Sequence, residues 1–168
     1  DSLEQDWVRA ADALREQRSS GVVADYYDQS YVRALLRGDV WITQAWSGDI
    51  FQQQQLGRAV EFVVPEEGAM LWTDNMLIPK GAENKYTAEL MIDWVYDVDR
   101  AARLANWIYF LSPVKGVAEA ITKLDPEAGS NPLLFPPADV VAKQHPLPDW
   151  NEADGAKVNE LFADLTGV

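Results

Sequence analysis

The order in which strand-like and helix-like segments follow one another predicts an α/β fold with a substantially parallel sheet. Two runs, residues 40–46 and 59–64, are rich in β-branched and aromatic residues, and each is flanked by segments whose apolar residues recur at helical spacing. Glycines punctuate the changes from one to the other. At 48 % hydrophobic and 11 % aromatic residues, the 168-residue chain also has the apolar material for a packed core, which disordered chains lack.

The elements follow in order. Leu3, Trp7, Val8, Ala11 and Leu14 trace one face of an amphipathic helix of about four turns, with Ser19-Ser20-Gly21 as its end. Helical spacing resumes over 29–37 through Tyr31, Ala34 and Leu35, and Gly38 stops it. A strand is expected over 40–46, running into Ser47-Gly48-Asp49, a helix-starting sequence for a short helix over 50–56. The next strand is 59–64, and Pro65-Glu66-Glu67-Gly68 is a turn. Residues 69–78 read as extended, which puts Trp72 and Asp74, two apart, on one side of the strand. A helix over 84–96 and a second capped by Asp97 and running through Ala101, Leu104, Ala105 and Ile108 come next, until Ser112-Pro113. Residues 117–123 form one short helix, the proline-rich stretch 125–148 is mostly irregular, and 152–165 is again helical. The strands are few for the helices that should cover them.

Composition excludes several functions. The net charge of −13 is spread over both halves, so no basic footprint exists for nucleic acid. No apolar run reaches the roughly 20 residues that span a bilayer, and the first residues carry no basic and apolar export segment. Without cysteine there are no disulfides, thiolate metal sites or cysteine nucleophiles, and the single histidine, His145 before Pro146, is expected in a surface turn. No metal site and no cofactor is implied.

Two tryptophans stand beside carboxylates where strands end or turn, in Trp46-Ser47-Gly48-Asp49 and Trp72-Thr73-Asp74. In open α/β sheets ligands bind beyond the carboxyl ends of strands. An aromatic face attracts a cation and covers its methylenes, and a carboxylate accepts from an ammonium group, so these residue types suit an alkyl amine. Each piece has a structural explanation too: Asp49 favours a helix N-terminus, and both tryptophans are candidates for the core. Their repetition on two segments favours the ligand.

The stretches 38–41, 45–49, 64–70, 72–74 and 78–85, including Pro65-Glu66-Glu67-Gly68, Trp72-Thr73-Asp74 and Ile78-Pro79, resemble the C-terminal half of bacterial polyamine-binding proteins. These are the periplasmic solute receptors of spermidine/putrescine ABC importers. The resemblance implies a two-lobed, type II periplasmic-binding-protein-like α/β fold of which this chain covers the C-terminal half. Residues 1–70 and 124–168 then belong to the second lobe and 71–123 to the first. It implies a polyamine, putrescine or spermidine, held in the cleft by Trp46, Asp49, Trp72 and Asp74. It adds an aromatic at Tyr109 or Phe110, with Phe110 the choice, and a late polar contact at Asn151 or Glu152, with Asn151 the choice. The implied partner is a membrane permease, the implied place the periplasm or outer face of the membrane, and the fragment is expected to self-associate.

Two alternatives stand beside a non-enzymatic receptor. A glycosidase could use Asp49 and Asp74 as acid and nucleophile with tryptophan stacking on sugar. A receptor for another solute would need other groups: ferric iron calls for tyrosinates, yet Tyr26-Tyr27 point to opposite sides of an extended segment, and no Arg or Lys stands beside Trp46 or Trp72 to hold an anion.

Overall fold

The computed structural model describes residues 3–166. The chain forms two compact units, one from Asp1–Thr43 with Pro148–Val168, the other Gln44–Leu147.

The first unit is helical. Helix α1 (Leu3–Ser19) realises the expected amphipathic pattern, and α2 (Tyr31–Arg37) stops at Gly38, whose left-handed backbone (φ 77°) lets Asp39 N–H reach the Ala34 carbonyl at 3.0 Å. The chain's last helix, Glu152–Thr166, returns from the far end of the sequence to lie along α1. Lys157 pairs with Glu4 at 2.9 Å, Arg15 with Asp164 at 2.9 Å, and the Arg18 guanidinium donates to the Leu165 carbonyl. Partners ascend together along both helices, so the two run parallel. The Trp7 and Trp150 rings meet edge to face at 6.1 Å, as do Tyr26 and Phe162 at 6.3 Å.

In the second unit, α3 (Ser47–Gln55) is followed by the strand β1 (Ala69–Leu71), helices α4 (Lys85–Val95), α5 (Val98–Ile108), α6 (Val117–Leu124), α7 (Pro126–Ser130) and α8 (Ala138–Val141), and the strand β2 (Gln144–Pro146); the last helix, described above, is α9. Asp97 caps α5 by accepting from the Arg100 N–H, and Asp125 caps α7 by accepting from Ala128 N–H at 3.0 Å, with Pro126 in the first turn. The core is small residue against large. Ala101, Ala102 and Ala105 of α5 are buried with Phe51 of α3, Ile121 of α6 and Leu134. Gly129 of α7 lies so close to α6 that a Cβ there would stand 2.4 Å from Thr122 Oγ1 and 2.5 Å from its Cα.

β1 and β2 pair in parallel, with Ala69 opposite Gln144, Met70 opposite His145 and Leu71 opposite Pro146. Gly68 makes the approach possible: at φ 107° it delivers Ala69 N–H to the Lys143 carbonyl at 3.1 Å, and a Cβ there would lie 2.1 Å from that oxygen.

The sheet departs from expectation in three places. Residues 40–46 and 59–64 form no strand, and 69–78 is a strand only over its first three residues. A strand needs a neighbouring strand to take its backbone hydrogen bonds, and the sheet among the described residues is β1 with β2 alone; Trp41 and Ile42, which face opposite ways in a strand, are 91 % and 92 % exposed. His145 sits in β2 rather than in a turn, because pairing with β1 extends the proline-rich segment there. Helix α3 begins at Ser47, three residues before the expected helix, and α7, α8 and β2 give regular structure to part of 125–148. The boundaries of the compact units differ from the expected lobe portions 1–70, 71–123 and 124–168, which describe a lobe assignment rather than compactness.

Gly129→Ala should destabilise the chain by about 1–3 kcal/mol, as overpacking at the α6–α7 contact. Gly155→Ala, inside α9 with open space at its Cβ, should stabilise it by about 0.5–1 kcal/mol. Urea unfolding checks both; an unchanged midpoint for Gly129→Ala means that the contact yields without strain.

Candidate functional site

Three places in the second unit build the site: the start of α3, the segment leaving β1 and the end of α5. Trp46 is the residue before α3, its backbone extended (φ −82°, ψ 136°) while its carbonyl accepts from Ile50 N–H at 3.3 Å. The chain therefore turns from extended to helical immediately after the tryptophan, and Asp49 falls in the first turn, where the exposed N–H dipoles favour a carboxylate. Both side chains are half-buried.

Trp72 follows β1 directly and brings its ring to Trp46, centroid to centroid 5.9 Å with the planes at 66°. Its indole N–H donates to Asp74 Oδ1 at 2.8 Å. Trp72 is 50 % exposed and Asp74 is exposed, so this segment presents an indole and a carboxylate held together.

Phe110 follows the end of α5. There Tyr109 adopts a left-handed backbone (φ 59°), its N–H donating to the Ala105 carbonyl at 2.8 Å and its ring meeting Phe51 at 4.7 Å. The next residue, Phe110, lays its ring against Gly48 in the first turn of α3. The second unit thus holds Trp46 and Trp72 in direct ring contact, Asp74 on Trp72, and Phe110 on the turn that also carries Asp49.

Asn151 lies elsewhere, in the first unit. Its Oδ1 accepts from Asp154 N–H at 2.9 Å and its Nδ2 donates to Asp154 Oδ2 at 2.7 Å, a capping arrangement at the start of α9. Sequence reasoning missed Gly48, whose lack of a side chain admits Phe110; the signal was a glycine inside Ser47-Gly48-Asp49, where a helix gains nothing from it. Among the described residues no group of three His, Cys, Asp or Glu side chains is gathered for a metal ion, and no helix is long and apolar enough to cross a membrane.

In a proton–nitrogen correlation spectrum, Asp74→Ala should move the Trp72 indole N–H signal upfield more than that of any other of the seven tryptophans. An unmoved Trp72 signal means that its N–H does not bond to the carboxylate in solution.

The family model described as bacterial extracellular solute-binding protein matches residues 1–136. A putrescine/cadaverine-binding protein of Pseudomonas aeruginosa is 33 % identical over 148 residues, covering 84 % of this chain and 41 % of that protein. The putrescine-binding periplasmic protein of Escherichia coli is 28 % identical over 140 residues, 80 % of this chain and 36 % of its own length. The spermidine/putrescine-binding periplasmic protein of the same organism is 28 % identical over 134 residues, again 80 % and 36 %. The chain spans about two fifths of the length of these relatives. Matched by the family model over most of its length, and built of helices with a short parallel sheet, the chain belongs to the bacterial extracellular solute-binding proteins.

Proposed function

We propose that this chain is part of the extracytoplasmic receptor of an ABC importer and that it binds a polyamine such as putrescine or spermidine. The observation that carries the reading is the Trp46–Trp72 pair flanked by two carboxylates, Asp49 and Asp74. A protonated diamine needs an apolar surface for its methylenes and an acceptor for each ammonium group. The indole faces supply the first and add cation–π attraction; the carboxylates supply the second. A net charge of −13 raises the local concentration of a cationic ligand. Relatives named for putrescine, cadaverine and spermidine support the same chemistry, and none of those named here is an enzyme, which leaves the glycosidase alternative without support.

In this reading Trp46 and Asp49 belong to the second lobe and Trp72 and Asp74 stand just past the crossing into the first, so the two pairs meet one ligand at the crossing about which the lobes close. The permease in the membrane reads the closed state. Asn151 is a contact from the second lobe in the same scheme, although its amide is engaged with Asp154 here; the five residues of the second unit carry the reading without it.

Titration calorimetry of the chain with putrescine and with spermidine tests the site. Trp46→Ala and Trp72→Ala should each lose about 1–3 kcal/mol of binding, from apolar contact and cation–π attraction. Asp49→Asn and Asp74→Asn should each lose about 1.5–3 kcal/mol, the range for hydrogen bonds to charged groups. Folded variants that bind as the parent does would remove their residues from the site.

We also propose that the chain self-associates. In the second unit, helix α4 buries none of its residues and exposes Tyr86, Leu90, Met91 and Trp94, an apolar surface of the kind that seeks a partner; in the first unit, Trp41 and Ile42 are bare. Sedimentation velocity should show the mean coefficient rising with concentration; a monomer at every concentration contradicts it.

A further inference from the structure

Gly48 is buried in the first turn of α3 and is not one of the glycines with a left-handed backbone, so what it provides is space. A Cβ at this position would stand 2.5 and 2.6 Å from the Phe110 ring and 2.7 Å from the Tyr109 carbonyl oxygen. Any side chain must push the end of α5 away from the start of α3.

The opposite side of this contact is equally constrained. Tyr109 is the one non-glycine with positive φ among the described residues, a conformation that bulky side chains adopt only when their surroundings enforce it. Its surroundings do so from two directions. The N–H closes α5 on Ala105, and the ring packs on Phe51, which is fully buried in α3 one turn after Gly48. Helix α3 therefore holds Tyr109 through Phe51 and receives the following residue, Phe110, at Gly48. Trp46 and Asp49 flank that same glycine.

The geometry points to Gly48 and Tyr109 as positioning residues that set how far Phe110 stands from the turn carrying Trp46 and Asp49, and thereby the length of methylene chain the site accepts. This rests on the amine-binding reading and adds the group that measures the ligand. An added Cβ at Gly48 displaces an aromatic wall relative to a carboxylate, which changes the fit of one diamine more than that of its homologue. A purely structural glycine would weaken all ligands alike.

The test is calorimetric titration of the parent chain, Gly48→Ala and Phe110→Leu with putrescine and, separately, with cadaverine, which differ by one methylene. One methylene in an apolar pocket is worth roughly tenfold in discrimination, so the ratio of the two affinities should change by about threefold or more in each variant. A folded variant that keeps the parental ratio, whether or not its thermal midpoint falls, overturns the proposal while leaving the amine site in place. Should Gly48→Ala fail to fold, Phe110→Leu decides alone by the same criterion. A parent chain that binds neither diamine overturns the amine reading, and the measuring role with it.

Discussion

Close approach of backbone to backbone is the constraint on which the site-bearing unit depends. Its elements meet where a side chain is missing or small: Gly68 against the Lys143 carbonyl, Gly48 against the Tyr109 carbonyl, Gly129 against Thr122, and the alanines of α5 within the core. The glycine contacts are unforgiving because each has main chain or a packed ring at its other side, which cannot rotate away as a lysine tip would. Two of them lie beside the candidate site. Gly68 anchors the strand from which Trp72 emerges, and Gly48 seats Phe110 on the turn that presents Trp46 and Asp49.

Helices were legible in the sequence because their hydrogen bonds are local. Apolar spacing, the cap at Asp97 and the stop at Gly38 are all written within a few residues of their effect, and α1, α2, α4, α5, α6 and α9 lie within a few residues of where these signals put them, although α5 ends at Ile108 on the left-handed Tyr109 and not at Ser112-Pro113. Strands were not legible in the same way. Residues 40–46 and 59–64 have the composition of strands, yet composition supplies no neighbour, and the backbone groups of a strand are satisfied only by another segment. The reverse error at His145 has the same origin: a proline-rich stretch became β2 because β1 was there to pair with it. Pairing of Trp72 with Asp74 was read from alternation along a strand, and the two do touch, although the strand ends at Leu71 and the link is an indole hydrogen bond. Contacts that join distant segments, Trp46 with Trp72 and Gly48 with Phe110, left no local trace beyond the residue types themselves.

The carboxylates differ in what holds them. Asp49 stands at a helix N-terminus, where the dipole favours its charge whether or not a ligand is present, while Asp74 is oriented by one indole N–H beside solvent. A hydrogen bond from Trp72 occupies part of one oxygen and leaves the other lone pairs of the carboxylate to accept elsewhere. The same tryptophan thus offers an apolar face and fixes the direction of a charge, which is the combination an alkyl ammonium group requires. Neither role needs a bond to be made or broken.

The first unit meets a different demand, that of joining residues almost a whole chain apart. α1 and α9 pack in parallel, so the connection between them must travel the length of the pair and return, and the entire second unit lies within that connection. Closing so long a loop costs little more than closing a short one, because the entropy grows only with the logarithm of length. The ion pairs across the helices are solvent-exposed and screened by salt, and they make a weak clasp. The Glu4 carboxylate holds the Lys157 ammonium above its usual value, and Asp164, then Asp12, does so for Arg15. A raised cationic group contributes below its ordinary value and loses that contribution only as pH rises through the higher one, so these pairs leave the neutral range unaffected. The edge-to-face contacts of Trp7 with Trp150 and Tyr26 with Phe162, with Ala11 and Leu165 buried, supply the attraction that neither salt nor neutral pH disturbs. The site-bearing unit is therefore tethered at both of its ends to a helix pair held by apolar contact.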